Sequence, residues 1–340
     1  MSVGIQHQHT QEQMVQLARR WEAQRLRELL SGPGVCVNAM MPKPPGHTAL
    51  HLVCTEAVQR KAEKATDLAA RTAAVLIEFG AAVNPRNAEG ATPLMIAVQS
   101  QNQPLIDVLL GAGALPELSS PRIGNAFHVA ATEGSPTVLR SLLEAVGAGL
   151  SMNAIDVSGV TPLEVAACLG NTDAVALLHD YLLKHPGAAQ PRPSSDSDGD
   201  RPLGNVGLND VSRALWFAVA NARTDVVRFL ARQGGQIEGD TPLSSASDED
   251  AAALRSVIHY VAAFGTDDSA ESVQALFMEA PVAVMKAVEA GGATIRETLR
   301  KRDCQKLERV IADISQAVID RRTFAPINIG RRSAWQPTAG

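Results

Sequence analysis

Apolar residues recur along this chain as pairs of short helical stripes separated by polar turns. The clearest pair runs from Gly90 to Ala114. Thr92 is placed to cap a helix, its hydroxyl taking an orphan backbone N–H. Pro93 follows at the first helical position, where its missing N–H costs nothing. Leu94, Ala97 and Val98 then line one face of a short helix. A polar turn covers Ser100 to Gln103. Leu105, Ile106, Val108, Leu109 and Leu110 return at the spacing of a second helix. Gly111 and Gly113 end it, glycine supplying the left-handed residue that a side chain resists.

The same pattern reappears at other positions. Asn125 lies 33 residues after Thr92 and opens Asn125-Ala126-Phe127-His128-Val129-Ala130, with Val138, Leu139, Leu142 and Leu143 in its second helix. Thr161 follows 36 residues later, and Glu164 three positions on predicts a capping box. Upstream, Thr48-Ala49-Leu50-His51 begins a unit 44 residues before Thr92, with a charged, Ala-rich surplus near residues 56–66. Met14, Leu17, Ala18, Trp21, Leu26, Leu29 and Leu30 form a first unit over 13–38, with Arg19, Arg20, Arg25 and Arg27 suited to a capped end.

These Thr-Pro-Leu starts, glycine stops and a period near 33 residues resemble the ankyrin repeat. The resemblance covers roughly residues 13–245 and implies an all-α solenoid of stacked helix–turn–helix units. It also implies that His51 and His128, three residues after a cap, tie neighbouring repeats by hydrogen bonds, and that Trp216 takes the same slot in a later repeat. The division expected is a disordered stretch over 1–12, ankyrin repeats over 13–184, and a flexible insertion over 185–209. Further repeats over 210–247, a divergent helical cap over 248–321 and a tail over 322–340 complete it. The insertion holds four prolines, four glycines and a Ser/Asp cluster. Within the cap region, Ile295, Leu299, Leu307, Val310, Ile311, Ile314 and Val318 supply an apolar stripe.

Composition narrows the function. Hydrophobic residues make up 45% of the chain and aromatics only 4%, which suits a core of Ala, Leu and Val between closely packed helices. A net charge of −5 gives nucleic acid or an anionic membrane no bulk attraction. No apolar run approaches the ~18 residues a membrane span needs. The polar N-terminus carries no signal-peptide core, so a cytoplasmic start is expected. Cys36, Cys54, Cys168 and Cys304 fit neither a CxxC pair nor a zinc spacing and read as reduced thiols. No phosphate loop, HExxH or GxSxG motif occurs. The expectation is therefore no catalytic residue, no cofactor and no metal site.

What remains is a surface. The family resemblance assigns binding to hairpin tips and first helices along the concave side. In the central repeat these positions are Arg86, Ala88, Glu89, Ala91, Gln99 and Ser100. The next repeat offers Arg122, Ile123, Thr132 and Glu133, and the one after offers Val157, Ser158, Val160, Cys168 and Leu169. The set has no charge bias, so the expected partner is a protein recognised by shape and scattered polar contacts, bound by a monomer. Irregular arrays of this style resemble ankyrin proteins that bacteria deliver into eukaryotic hosts. The alternatives are a cytoplasmic inhibitor or immunity protein for a toxin, and a recruiting arm for an enzymatic activity in 248–321.

Stacking makes a sharp prediction. Leu109→Asp places an unpaired charge in a neighbour interface and should cost about 4 kcal/mol or more, whereas Pro93→Ala should change stability little. Thermal unfolding checks both, and a Leu109→Asp midpoint equal to the parent contradicts the stacked arrangement.

Overall fold

Three of the predicted starts are capped by the residue the sequence put there. Thr92 is extended, and its side chain accepts from Met95 N. Asn125 does the same for Phe127 and His128 N. At Thr161 the box is complete: Glu164 N donates to the hydroxyl, and the Glu164 carboxylate accepts from Thr161 N at 2.9 Å. Gly134 and Gly170 end their helices in the left-handed region, at φ 67° and 85°. After Leu105–Leu110 the left-handed residue is Gly113, one position beyond the cap Ala112.

A computed structural model of the chain describes residues 2–41, 46–60, 66–146, 160–185, 210–233, 268–279 and 304–323, with single positions at Val261, Val284, Val288, Ile295, Glu297 and Leu299. The chain divides into two compact units, 1–214 and 215–340. The helices of the first are α1 (Ser2–Arg20), α2 (Ala23–Leu30), α3 (Ala49–Arg60), α4 (Thr66–Glu78), α5 (Pro93–Ser100), α6 (Gln103–Gly111), α7 (Ala126–Glu133), α8 (Pro136–Val146), α9 (Pro162–Leu169) and α10 (Thr172–Lys184). Helix α11 (Asp210–Ala220) contains the division between the units. The second unit continues with α12 (Thr224–Gln233), α13 (Ser269–Glu279) and α14 (Gln305–Thr323), with α13 packed against both of the others.

One departure from expectation has a local cause. Residues 2–20 are helical, although a disordered stretch was expected over 1–12: Met14, Val15 and Ala18 bury one face, and α1 packs on α2 and α3. The helices flanking the expected helical insertion near 56–66 are long: α3 and α4 have 12 and 13 residues, against 8 and 9 in α5 and α6. Residues 61–65 of that insertion lie outside the described residues. Residues 186–209 of the insertion expected over 185–209, residues 234–247 of the further repeats, most of the cap's first half and residues 324–340 of the tail lie outside the described residues.

In the first unit the helices form two layers. Helices α3, α5, α7 and α9 pack in succession, with α1 at their head, and α2, α4, α6, α8 and α10 form the second row. Equivalent positions stack. Leu50, Leu94, Phe127 and Leu163, each two residues after a cap, are at most 1% exposed. Three to four residues further on lie Val53-Cys54, Ala97-Val98, Ala130-Ala131 and Ala166-Ala167, all fully buried. These small side chains let the inner helices approach closely. Leu76, Leu109, Leu142 and Leu178 do the same work in the second row, fully buried. Burial of this kind supplies about 1.5–3 kcal/mol per leucine side chain.

Apolar contact alone does not fix the register of one repeat on the next; polar ties do. Asn38 donates to Gly80 O at 3.0 Å and accepts from Ala82 N at 2.7 Å. Asn84 repeats this on Gly113 O and Leu115 N, both at 3.0 Å. On the opposite edge, the tip before each first helix closes through a carbonyl: Asn87 N donates to Ala91 O at 3.0 Å and Ser120 N to Gly124 O at 2.7 Å. His51 reaches forward, its Nε2–H donating to Ala91 O at 3.1 Å while Nδ1 accepts from Thr48 N at 3.2 Å. His128 does the same to Val160 O at 3.0 Å, with its Nδ1 against Asn125 N. Both histidines thus fill the role the family resemblance gave them.

The other two interfaces are tied differently. Met95 takes the histidine slot and has no donor. There the tips themselves are joined: Ser120 Oγ donates to Glu89 O at 2.7 Å, and the Arg86 guanidinium donates to Ser119 O. Glu164 takes the slot at the next repeat. Its carboxylate has no proton to give a carbonyl, and it pairs instead with Arg213 Nε at 2.6 Å. Glu164 is fully buried and Arg213 is mostly so.

Two outcomes follow for these ties. Burial pushes the His51 imidazole down to about 4, against hydrogen bonding to Ala91 O and with help from the neighbouring His47. An unfolded histidine titrates near 6.5. As pH falls from 6.5 to about 4, the unfolded chain therefore binds a proton that the folded chain refuses. Stability should fall across that window by about 3 kcal/mol from this group, and urea unfolding of His51→Gln between pH 7 and 4 should show a shallower slope than the parent. Arg213→Ala strands a buried carboxylate and should cost about 3 kcal/mol, measured by urea unfolding at pH 7.

Candidate functional site

The inner helices end in a repeated pair of outward positions, seven and eight residues after each cap. The first stripe is Thr55, Gln99, Thr132 and Cys168; the second is Glu56, Ser100, Glu133 and Leu169. Stacking brings these together along one side of the first unit. Gln99 and Thr132 are exposed, and Leu169 is 41% exposed, an apolar side chain left open on the inner row.

The other residues expected on this surface divide by what already occupies them. Ala88 is exposed and Ile123 is 38% exposed at the tips. Ala91 is a correction: it is 2% exposed, because the tip turns it under to present its carbonyl to Asn87 and His51. Arg86 is held on Ser119 O, and Arg122 lies 3.8 Å from Glu89, so these charges lace two tips together. Ser100 is half-buried and donates to Ala97 O at 2.6 Å. Glu133 is half-buried and accepts from Gln101 Nε2. Val160 contributes its carbonyl to His128. Val157 and Ser158, and the side chain of Trp216, lie outside the described residues.

Gln101 was not anticipated. It occupies the place that Gly134 and Gly170 hold in later repeats, and it adopts the same left-handed backbone at φ 56°. Its amide then reaches the next repeat, to Glu133 O at 3.4 Å and Glu133 Oε2 at 3.3 Å. A non-glycine residue in a glycine slot was the available signal.

A second concavity lies at the head of the stack. A groove of about 1010 Å³ runs between α1, α2 and the entry to α3, with Leu17, Leu29, Met41 and Leu52 among its apolar residues and Arg19, Arg20 and Arg25 among its charged ones. His47 also lines it and stacks on His51 with ring centroids 5.4 Å apart. Burial holds His47 below the ordinary histidine range; Glu89 opposes this and Arg19 adds to it.

His51 and His128 are engaged in repeat-to-repeat ties, and burial pushes the Cys54 thiol far above its ordinary range, which suits packing rather than reaction. Among the described residues no group of three or more His, Cys, Asp or Glu is placed to hold a metal, and no helix is long and apolar enough to cross a membrane.

Comparison with known proteins agrees with this architecture. The ankyrin-repeat family model matches residues 89–120, which span α5, α6 and the tips on either side. Over 122 residues the chain is 34% identical to NF-kappa-B inhibitor delta of Mus musculus, a stretch that covers 36% of this chain and 34% of that protein. It is 28% identical over 204 residues to Protein lin-12 of Caenorhabditis elegans, covering 58% of this chain and 13% of that protein. The chain thus spans about a third of the first relative and a smaller share of the second. The matched repeat at 89–120, and the recurrence of its caps and ties in the flanking units, give the first unit the architecture of an ankyrin-repeat solenoid.

Proposed function

We propose that this chain is a non-enzymatic binding module that holds a protein partner along the inner row of the first unit. The observation that carries this reading is the row itself: Gln99, Thr132 and Leu169 project from equivalent positions of successive repeats, and Leu169 stays open there. Gln99 offers both donor and acceptor groups, and Leu169 offers apolar area. The few aromatics and the absence of a strong charge bias suit recognition by shape. That one relative is by name an inhibitor, of NF-kappa-B, supports a role exercised through binding; its partner is not carried over to this chain.

The structure changes which residues test this. Arg86 and Glu89 belong to the tie between two tips, so altering them disturbs the stack as well as the surface. Gln99, Thr132 and Leu169 are the better choice. Pull-down with the intact protein and with the Gln99→Ala, Thr132→Ala, Leu169→Ala variant, from bacterial and eukaryotic lysates, should yield a partner that the variant loses. Purified, that partner should bind the variant about tenfold more weakly or worse, as for loss of a central contact, with the thermal midpoint retained. Identical captures by both baits would refute the assignment of this row. A eukaryotic partner favours the delivered-effector reading, and a bacterial one favours an inhibitor.

A further inference from the structure

We propose that the groove at the head of the stack is a second binding surface, built for an acidic amphipathic segment of a partner protein. Helices α1 and α2 are joined by only two residues, Trp21 and Glu22, so they run back along each other. That topology sorts the groove's charges. Arg19, Arg20 and Arg25 gather at the turn end, while Glu12 and Glu28 lie away from it.

The turn end is positive after its own ion pairs are counted. Arg25 pairs with Glu22 at 2.6 Å, and Arg19 lies 3.7 Å from Glu56. Arg60 lies 3.4 Å from the same Glu56, donates to Arg19 O and stacks over Trp21 at 4.6 Å. Four guanidiniums therefore meet two carboxylates, and Arg20 makes no ion pair among the described residues. This excess sits in a chain whose net charge is −5. The apolar residues of the groove, Leu17, Leu29 and Met41, are only partly covered. A segment with leucine-like side chains along one face and carboxylates at one end matches both features. Glu12 and Glu28 at the far end repel an occupant that is negative along its whole length, which disfavours a nucleic-acid strand.

The site also has a rigid base. Trp21 adopts φ 57°, a left-handed backbone that a bulky residue resists. It is held there by its indole N–H on Val53 O at 3.3 Å and by Arg60 above the ring. The turn that carries the arginines is thus fixed against α3 before any partner arrives.

The test uses the full chain and two fluorescein-labelled helical peptides: one of Leu and Glu, the other with Lys in place of every Glu. Anisotropy titration should show binding of the acidic peptide, weakened as salt rises from about 0.05 M to 0.5 M, with the basic peptide at least about tenfold weaker. Arg20→Glu with Arg25→Glu should reduce acidic-peptide affinity about tenfold or more. Gln16→Lys, on an exposed rim position of α1, should raise it; this variant keeps the proposal testable should the double reversal unfold. The Gln99, Thr132, Leu169 variant should bind the acidic peptide as the parent does, which separates this groove from the inner row. The proposal is overturned by equal binding of the two peptides, by no binding of the acidic one, by insensitivity to both charge changes, or by tighter binding of a single-stranded oligonucleotide.

Discussion

The backbone carbonyl of Ala91, which closes its own hairpin tip, also anchors the preceding repeat. Ala91 O accepts from Asn87 N within its own tip and from His51 across the interface. A repeat touches only its neighbours, so its position is set at two interfaces and nowhere else. Rows of leucine and alanine provide the attraction there but tolerate sliding, because apolar contact has no direction. A buried donor aimed at one carbonyl does not tolerate it, since a displaced repeat leaves both groups unsatisfied. The register of the array therefore rests on directed polar ties, several of them made from one slot three residues after a cap.

That slot explains why the array is irregular without being disordered. Where histidine is present, a neutral ring accepts from its own helix start and donates to the next tip. Methionine at position 95 can do neither, and at that interface the two tips are joined to each other. Glutamate at position 164 keeps the first half of the histidine's task, accepting from Thr161 N, but inverts the second: it needs a donor, and Arg213 supplies one. Histidine and glutamate thus tie the slot to different forward partners, and at methionine the tips take over the tie.

Much of this was legible beforehand because it is local. The caps Thr92, Asn125 and Thr161, the box at Glu164 and the stacked positions Leu50, Leu94, Phe127 and Leu163 depend on residues at most a few positions away, and periodicity reveals them. The roles that escaped reading depend on distance along the chain. Glu164 and Arg213 are 49 residues apart in the chain. Ala91 read as a surface residue because tips are generally exposed, yet its burial follows from the carbonyl it must present. The start of α1 read as disorder from its polar composition, while the helix it belongs to is anchored further along, at Met14, Val15 and Ala18, and packs on α2 and α3. The groove beside it arises from the mutual placement of α1, α2 and α3, which no single stretch encodes.

The ties also decide which parts of the surface are free for recognition. In the middle of the stack, Arg86, Glu89 and Arg122 look like a polar binding face in sequence, yet they hold two tips together in place of a histidine. A partner that took these groups would have to break contacts between repeats, offsetting part of what its own contacts contribute. The inner-helix positions carry no such burden, because the interfaces beneath them are closed by alanines. At the head of the stack the situation differs again: Arg20 of α1 makes no ion pair among the described residues, and Leu17 and Leu29 are only partly covered. The two surfaces proposed here are consequently places where, among the described residues, the repeat logic leaves side chains open: the outward ends of the inner helices, where neighbours need only small residues, and the groove beside α1.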